Sequence, residues 1–516
     1  MSIEETDHLE TIASVLALGR AEDPALGAPG RSTVDYAGLR AHAEQIMASL
    51  NARGIGRNDR VAIVLPNGPE MASAFVTLAS CATTAPLNPA YRRQEFDFYL
   101  SDLGAKALMV AAGTESPAVD SAVGLGIPIL QIEFDAQGPA GRFELHGQAG
   151  AAVGASAGGV AGPDDVALVL HTSGTTSRPK LVPLTHRNVC ASAGNIRDTL
   201  ALASHDRCLN VMPLFHIHGL MAAVLATLRA GASVSCTPGF NALKFFAWMR
   251  EVRPSWYTAV PTMHQAILAR APRNQEIVDG AGLRFIRSSS SSLPPQVMGG
   301  LEETFGVPVV EAYAMTEAAH QMTCNSLPPG TRKPGTVGPA AGPEVAVMGA
   351  DDQLLEAGGV GEVVIRGPNV TSGYENNPEA NAAAFSDGWF RTGDQGVMDD
   401  DGYLSITGRL KEIINRGGEK ISPLEVDVVL MDHPAVQQVV TFAMPHPKLG
   451  EEVAAAVVLR ADEEVTETAI RSFAGARLAD FKVPRKVLFL EEIPKGATGK
   501  LQRIGLAAKL GLGTAD

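Results

Sequence analysis

Short apolar runs alternate with helical patterns along most of this chain, and this alternation limits the fold more than any other feature. Residues 60–68 have the pattern of a buried strand closed by turn residues, residues 70–79 have a helical pattern, and residues 85–89 lead into another strand. The alternation recurs over residues 210–235 and 256–287. Parallel strands are joined by crossover helices, so the pattern predicts α/β units with parallel sheets.

The pattern of strands and turns in the sequence changes in its last third. Short strands with glycine turns fill residues 337–408 and predict a small β-barrel-like region. A compact mixed segment follows Arg409, and its length of about a hundred residues is typical of a separate domain. The chain has 516 residues, whereas one hydrophobic core usually serves no more than about 250–300. We therefore predict a large N-terminal domain, residues 1–409, of two α/β subdomains plus the barrel-like one, and a smaller α+β domain, residues 410–516.

Composition excludes several functions. Lys and Arg number 42 against 56 Asp and Glu, a net charge of −14 that argues against general nucleic-acid or anionic-membrane binding. The five cysteines have no paired spacing, which predicts neither a zinc site nor a disulfide framework and fits a reducing cytosol. The N-terminus is acidic and no apolar run reaches the ~18 residues of a membrane span. A cytoplasmic protein without a membrane span is expected, either a monomer or a small homo-oligomer.

A hydroxyl-rich loop at residues 171–180, His-Thr-Ser-Gly-Thr-Thr-Ser-Arg-Pro-Lys, follows the apolar strand pattern of residues 166–170. Side-chain and backbone donors in such a loop can surround polyphosphate oxygens, while the terminal lysine supplies positive charge. It lacks the Gly-Lys-Ser/Thr ending of the common nucleotide loop. The segment predicts a phosphate-binding loop, although composition alone would equally fit a solvated linker.

The run Thr-Ser-Gly-Thr-Thr-x-x-Pro-Lys resembles the signature of the adenylate-forming enzymes, which include acyl-CoA synthetases, aryl-CoA ligases and luciferases. Ser177 and Leu181 stand where glycine is usual. Four further runs are similar to later signatures of that family and occur in the expected order, at residues 311–317, 389–394, 408–412 and 494–500. The first of these has Ala314 in place of the usual glycine. Several ordered motifs are much harder to meet by chance than one, and together they span almost the whole chain.

This resemblance implies a two-step reaction. A carboxylate attacks the α-phosphate of ATP to give a mixed anhydride, and the thiol of coenzyme A then displaces AMP. ATP, Mg²⁺ and coenzyme A are thus the expected cofactors and co-substrate. In the family the C-terminal domain rotates between the two steps, so the smaller domain here is expected to be mobile, with Lys411 at the hinge and Gly417 and Gly418 along the coenzyme A path.

The resemblance also assigns roles around ATP. Glu317 would hold Mg²⁺, a hard cation that prefers oxygen ligands, and Thr316 would contact the α-phosphate. Lys500 would bridge the acid and the α-phosphate in the adenylation transition state. The remaining nucleotide contacts are expected from the phosphate loop, from Tyr313 on adenine, and from Asp394 and Arg409 at the ribose. The phosphate-loop residues are Thr172, Ser173, Gly174, Thr175, Thr176 and Lys180.

Three local runs, residues 171–180, 312–320 and 415–423, are most similar to members of the family that activate oxalate. Oxalate requires donors for the carboxylate that stays charged while the other attacks ATP. Ser290 and His320 are the preferred candidates, with His216 and Arg287 nearby. The serine run 288–292 fits this role, but it also fits an ordinary polar loop.

Two alternatives stay open from sequence. The activated acid could instead be malonate, a short fatty acid or an aromatic acid, with the same fold and ATP chemistry. A different class is a nucleotide-binding regulator without turnover, which would have lost its lysine or acidic groups. Lys500, Glu317 and Asp394 are all present, which disfavours that class.

Overall fold

The computed structural model describes residues 10–147, 157–172, 179–494 and 501–512, and within these ranges the strands form four sheets. The first sheet has seven strands, which are parallel except for the antiparallel strands at its two edges. In spatial order they are β7 (Glu144–His146), β6 (Ile129–Glu133), β5 (Ala107–Ala111), β3 (Arg60–Val64), β4 (Thr83–Pro86), β8 (Val166–Thr172) and β9 (Lys180–Thr185).

The second sheet has eight strands and is also parallel between its edges. In spatial order they are β15 (His320–Cys324), β14 (Val309–Met315), β13 (Phe285–Ser289), β12 (Trp256–Ala259), β10 (Arg207–Asn210), β11 (Ser233–Cys236), β1 (Pro24–Ala28) and β2 (Arg31–Asp35). The two parallel sheets confirm the α/β prediction.

Two smaller sheets complete the fold. An antiparallel half-barrel contains β16 (Glu344–Met348), β17 (Val360–Arg366), β19 (Trp389–Met398), β18 (Phe385–Ser386) and β20 (Leu404–Arg409), and it confirms the predicted barrel-like region. The C-terminal sheet contains β22 (Glu419–Ile421), β21 (Ile414–Arg416), β24 (Gly450–Leu459), β23 (Val436–His446) and β25 (Lys486–Phe489). The domain boundary between residues 409 and 410 stays a prediction.

Helices cover the sheets. They are α1 (Ile12–Leu16), α2 (Tyr36–Asn51), α3 (Pro69–Ala79), α4 (Arg93–Asp102), α5 (Pro117–Leu125), α6 (His186–Thr199), α7 (Ala226–Arg229), α8 (Phe245–Val252), α9 (Pro261–Leu268), α10 (Gln275–Asp279), α11 (Pro295–Phe305), α12 (Pro378–Ala384), α13 (Pro423–Met431), α14 (Glu467–Gly475) and α15 (Leu506–Lys509). Because helices lie on both faces, the central strands are buried on both sides, which explains their continuous apolar runs. Within the described ranges, no helix is both long and apolar enough to cross a membrane.

Local packing shapes two segments in ways that the sequence pattern does not show. The apolar residues 219–228 form most of a π-helix, His218–Leu225, and the start of α7, which follows it. A Cβ at Gly219 would lie 2.4 Å from the carbonyl oxygen of Pro213, so this wide turn is packed directly against backbone. The serine run is also not a simple loop, since Ser288 and Ser289 belong to β13 and are fully buried.

Glu311 fixes the far end of the serine run. It is buried on β14, and its Oε1 accepts a hydrogen bond of 2.7 Å from the backbone N–H of Leu293. Burial raises the pKa of Glu311 to about 8, against the opposing effect of that hydrogen bond. The folded protein therefore holds this proton over a pH range in which the unfolded chain releases it.

We predict a pH-dependent stability from this group. Because the folded pKa is raised, the stabilisation is fully present below the unfolded value near 4.5 and is lost as pH rises through about 8. Glu311→Gln keeps the acceptor without the titration, so its melting temperature should fall less than that of the wild type between pH 5 and 8. If calorimetry shows that the melting temperatures of both proteins fall equally between pH 5 and 8, the assignment is contradicted.

Candidate functional site

The candidate site lies where strands of the two parallel sheets end. β8 ends at Thr172, within the predicted phosphate-loop segment 171–180, and β14 is followed by a 3₁₀ turn, Thr316–Ala318. Ligands of open α/β sheets bind outside the carboxyl ends of the strands. The fold thus brings Thr172 and the Thr-Glu segment to the kind of edge where a ligand binds.

Glu317, Lys180 and Tyr374 form one cluster at this edge. The hydroxyl of Tyr374 donates to Oε1 of Glu317 over 2.9 Å, and Nζ of Lys180 lies 4.1 Å from the centroid of the Tyr374 ring. Glu317 is buried, which raises the pKa of its carboxyl, while the hydrogen bond from Tyr374 and the charge of Lys180 oppose the rise. Burial lowers the pKa of Lys180, and the charge of Glu317 opposes that shift. The cluster pairs a carboxylate with a cation in a partly dry cleft.

Thr172 lies beside the same cluster. It is opposite Lys180 in the antiparallel pair of β8 and β9, so the two ends of the phosphate loop are held together by the sheet. Thr316 opens the 3₁₀ turn, and its carbonyl accepts from the backbone N–H of Ala319. The other predicted residues of the loop, and the predicted catalytic lysine, lie outside the described ranges; they are Ser173, Gly174, Thr175, Thr176 and Lys500.

A second cluster joins the eight-stranded sheet to the half-barrel. The hydroxyl of Tyr313, on β14, donates to Oδ2 of Asp394, on β19. Nε of Arg409, on β20, lies 3.2 Å from Oδ1 of the same carboxylate, and Asp394 and Arg409 are direct partners across the two strands. Asp394 is buried, whereas the side chain of Arg409 is 54% exposed. The carboxylate is thus held from two sides, with the arginine facing solvent.

Four polar side chains meet in a third cluster. Nδ1 of His218 lies 3.0 Å from Oγ of Ser290, and its Nε2 lies 2.7 Å from Oγ1 of Thr258. The ring centroids of His218 and His320 are 5.0 Å apart. Thr258, His218 and His320 are fully buried and Ser290 is half-buried. Of the predicted acid contacts, Ser290 and His320 are therefore brought together, through His218.

The other two predicted acid contacts lie beside this cluster. Nη1 of Arg287 is 3.4 Å from Oγ1 of Thr258, and Nη2 is 3.1 Å from Oε1 of Gln321. Arg287 is fully buried in β13. His216 is half-buried, and its Nδ1 accepts from the backbone N–H of His218 over 3.3 Å.

The backbone around the third cluster is strained. Ser290, Ala319 and His320 have φ angles of +77°, +47° and +108°, in a region that residues with a side chain rarely adopt. Such strain concentrates at active sites and ligand clamps, where the surrounding structure maintains it. Three such residues around one polar cluster are independent support for a functional site.

The predicted hinge and coenzyme A residues lie in the C-terminal part. Lys411 is exposed and, with Glu412 and Arg503, lines a cavity of about 390 Å³. Arg503 lies 3.4 Å from Oε2 of Glu412 and 2.6 Å from Oδ2 of Asp427, and so ties the segment after residue 500 to the one after Arg409. Gly417 and Gly418 form the turn between β21 and β22, with φ angles of +60° and +103° that favour glycine.

Sequence reasoning missed three residues that the structure places at these clusters. His218 could have been noticed, since it follows His216 at a spacing of two just before a glycine. Thr258 and Tyr374 carry no local signal, because their partners are 40 and 57 residues away in sequence. Within the described ranges there is no group of three or more His, Cys, Asp or Glu side chains able to hold a metal. Mg²⁺ would fit Glu317, because it is commonly bound by one or two carboxylates together with substrate phosphates.

Comparison with known proteins identifies the family. Residues 17–375 match the model of the AMP-binding enzymes, and residues 425–500 match that of the AMP-binding enzyme C-terminal domain. An oxalate–CoA ligase of Arabidopsis thaliana is 45% identical over 97% of this chain and 98% of its own. An oxalate–CoA ligase of Saccharomyces cerevisiae is 44% identical over 87% of this chain and 86% of its own.

Solved structures give the same answer for the fold. The structure of ATP-bound MatB from Rhodopseudomonas palustris superposes with a TM-score of 0.85 and 28% identity, over 97% of this chain and 98% of that one. AMP-forming CoA ligases use ATP, Mg²⁺ and coenzyme A. The chain therefore belongs to the AMP-binding enzyme family and is an acid–thiol ligase.

Proposed function

We propose that this chain is an oxalate–CoA ligase, which converts oxalate, ATP and coenzyme A to oxalyl-CoA, AMP and diphosphate. The observation that carries the choice of acid is the third cluster, in which buried His218 and His320 lie beside half-buried Ser290, with Arg287 behind them. The two oxalate–CoA ligases described above, similar along most of this chain, support the same acid.

In the first step, one oxygen of oxalate attacks the α-phosphorus of ATP and the bond to diphosphate breaks. Lys180 and Thr172 would hold the β- and γ-phosphates together with Ser173, Gly174, Thr175 and Thr176. Thr316 would contact the α-phosphate, and Lys500 would bridge the α-phosphate and the attacking carboxylate. Mg²⁺, when bound beside Glu317, would neutralise charge on the phosphate oxygens.

The second cluster would hold the nucleoside. Asp394 already accepts from Tyr313 and Arg409, and a carboxylate has acceptor capacity left for ribose hydroxyls. The hydrogen bond from the Tyr313 hydroxyl to Asp394 restricts the orientation of the Tyr313 ring. One face of that ring would be left for adenine. Arg409 is half-exposed beside them and would donate to the sugar or the phosphate.

The third cluster would select the acid. Oxalate carries a second carboxylate, which stays charged during the reaction and requires donors. Ser290, His320 and His216 can supply them, and the guanidinium of Arg287 adds positive potential from behind. A fatty or aromatic acid would place apolar atoms against these polar groups, at a cost of about 1–3 kcal/mol for each donor that loses its water without gaining a carboxylate.

In the second step, the coenzyme A thiol attacks the acyl carbon and the bond from that carbon to the AMP oxygen breaks. We propose that the domain of residues 410–516 rotates about Lys411 between the steps, and that Gly417 and Gly418 border the thiol's path. A Cβ atom at Gly417 would lie 3.0 Å from the side chain of Leu449. Both glycines keep this turn free of side chains that would narrow the path. A cytoplasmic location is also proposed, and the five free, buried cysteines support a reducing compartment.

The choice of acid is tested with a panel of oxalate, malonate, butyrate and benzoate. Wild-type protein should form the oxalate thioester with kcat/KM at least about 100-fold above those of butyrate and benzoate, since two or more donors would be left unpaired. His320→Ala should lower kcat/KM for oxalate about 10- to 100-fold. Diphosphate release and thioester formation measure both.

The control for this variant is His42→Ala, another fully buried histidine, which lies on α2 and packs against Phe143. It should lower the melting temperature without changing the order of the acids. A wild type that prefers butyrate or benzoate would refute oxalate as the substrate. A wild type without any thioester product would instead favour a nucleotide-binding regulator.

Tyr374 tests the metal site. Tyr374→Phe keeps the ring under Lys180 but removes the hydroxyl that holds Glu317, so the Mg²⁺ concentration for half-maximal diphosphate release should rise about 10-fold. Tyr403→Phe is a matched control, because Tyr403 lies under Lys333 at 4.3 Å and donates to the carbonyl of Thr331, outside the three clusters. An equal Mg²⁺ requirement in both variants would contradict the proposal that the Tyr374 hydroxyl holds Glu317 in place for the metal.

A further inference from the structure

We infer that Arg287 and Thr258 act as a hydrogen-bond relay that turns Ser290 into a donor toward the acid. The inference rests on the proposed function and deepens it, because it identifies what makes the pocket accept a charged group. Arg287 and Thr258 are positioning residues in this account, and of the residues in the relay only Ser290 touches the acid.

The relay is continuous from β13 to the pocket. Arg287 and Thr258 are direct partners across the parallel pair of β12 and β13, which puts both side chains on one face of the sheet. From Nη1 of Arg287 the chain runs to Oγ1 of Thr258 at 3.4 Å, then to Nε2 of His218 at 2.7 Å. It ends with Nδ1 of His218, 3.0 Å from Oγ of Ser290.

Arg287 is held so that it can act only through Thr258. Its Nη2 donates to Oε1 of Gln321 over 3.1 Å, and Nε2 of Gln321 donates in turn to Oγ1 of Thr199 and the carbonyl of Ala341. The amide of Gln321 is thereby fixed with its oxygen toward the arginine. Because Arg287 is fully buried in this arrangement, we assign it a positioning role rather than direct contact with the acid.

The chemistry of each group sets the direction of the bonds. A guanidinium can only donate, so the oxygen of Thr258 accepts from Arg287. The positive charge turns the Thr258 hydroxyl hydrogen away, toward Nε2 of His218, which therefore accepts. A neutral imidazole with Nε2 as acceptor carries its proton on Nδ1, and that N–H donates to Ser290.

The charge of Arg287 also disfavours the imidazolium form of His218. The guanidinium lies one hydroxyl group away, and like charges at short range favour the neutral form of the weaker base. Ser290 then accepts from His218 and directs its own hydroxyl hydrogen elsewhere. Ser290 is half-buried, whereas Ser288 and Ser289 are fully buried, so its hydroxyl hydrogen can be donated to a carboxylate on the exposed side.

The kinetic test removes one hydroxyl from the relay. Thr258→Val keeps the shape of the side chain but leaves His218 without its fixed donor, so the KM for oxalate should rise about 10-fold. Because the spectator carboxylate is bound equally in ground and transition states, kcat should stay within about 2-fold. Thr258→Ser should restore the wild-type KM.

The control is Thr84→Val. Thr84 is a fully buried strand threonine in the other parallel sheet, where its hydroxyl donates to the carbonyl of Ala167 over 2.8 Å. It should lower the melting temperature about as much as Thr258→Val and leave the KM unchanged. A Thr258→Val variant that folds and keeps the wild-type KM for oxalate overturns the relay.

A spectroscopic measurement reads the relay without turnover. ¹⁵N chemical shifts of His218, assigned by comparison with His218→Asn, should show a protonated Nδ1 and an unprotonated Nε2 in the wild type, and a mixture of both tautomers in Thr258→Val. A wild type protonated on Nε2 also overturns the relay. If the ¹⁵N shifts show a protonated Nδ1 but no oxalyl-CoA forms, the proposed substrate is wrong and the relay is still supported.

Discussion

Two buried carboxylates, each held by a tyrosine hydroxyl from another part of the fold, are the interaction on which the site depends. Tyr313 of the eight-stranded sheet binds Asp394 of the half-barrel, while Tyr374, which follows the half-barrel strand β17, binds Glu317 next to the sheet. Burying a carboxylate is costly unless it is hydrogen-bonded or paired. The reciprocal bonds meet that requirement and fix the half-barrel against the sheet, which sets the distance between the proposed metal site at Glu317 and the proposed ribose site at Asp394.

In the proposed function, the nucleotide end and the acid end work differently. At the nucleotide end, charges and hydroxyls would face a ligand whose phosphates are the same for every acid. At the acid end, imidazoles and hydroxyls would be matched to one small anion, at positions where the surrounding structure maintains strained backbone at Ser290 and His320. This division fits a family in which the fold and adenylation chemistry are shared while specificity resides in a few pocket residues.

Much of the fold and part of the candidate site could be predicted from sequence, for a physical reason. Buried parallel strands require continuous apolar runs, so β3 and β8 were evident from the sequence. The signature runs led to Glu317, Asp394 and Arg409 because the residues within each run are adjacent in sequence. Thr258 and Tyr374 were missed because their roles arise from contacts between distant segments, which no local pattern records. The π-helix at His218 and the burial of Ser288 likewise depend on packing against neighbouring strands.

The central claim is that the acid is activated by transfer of AMP to its carboxylate. The most direct measurement uses oxalate labelled with ¹⁸O in its carboxylates, followed by mass spectrometry of the products. If the carboxylate oxygen attacks the α-phosphorus and the thiol later breaks the bond from the acyl carbon to oxygen, each AMP released must carry one ¹⁸O. AMP without the label, or label appearing in diphosphate or inorganic phosphate, would contradict the account.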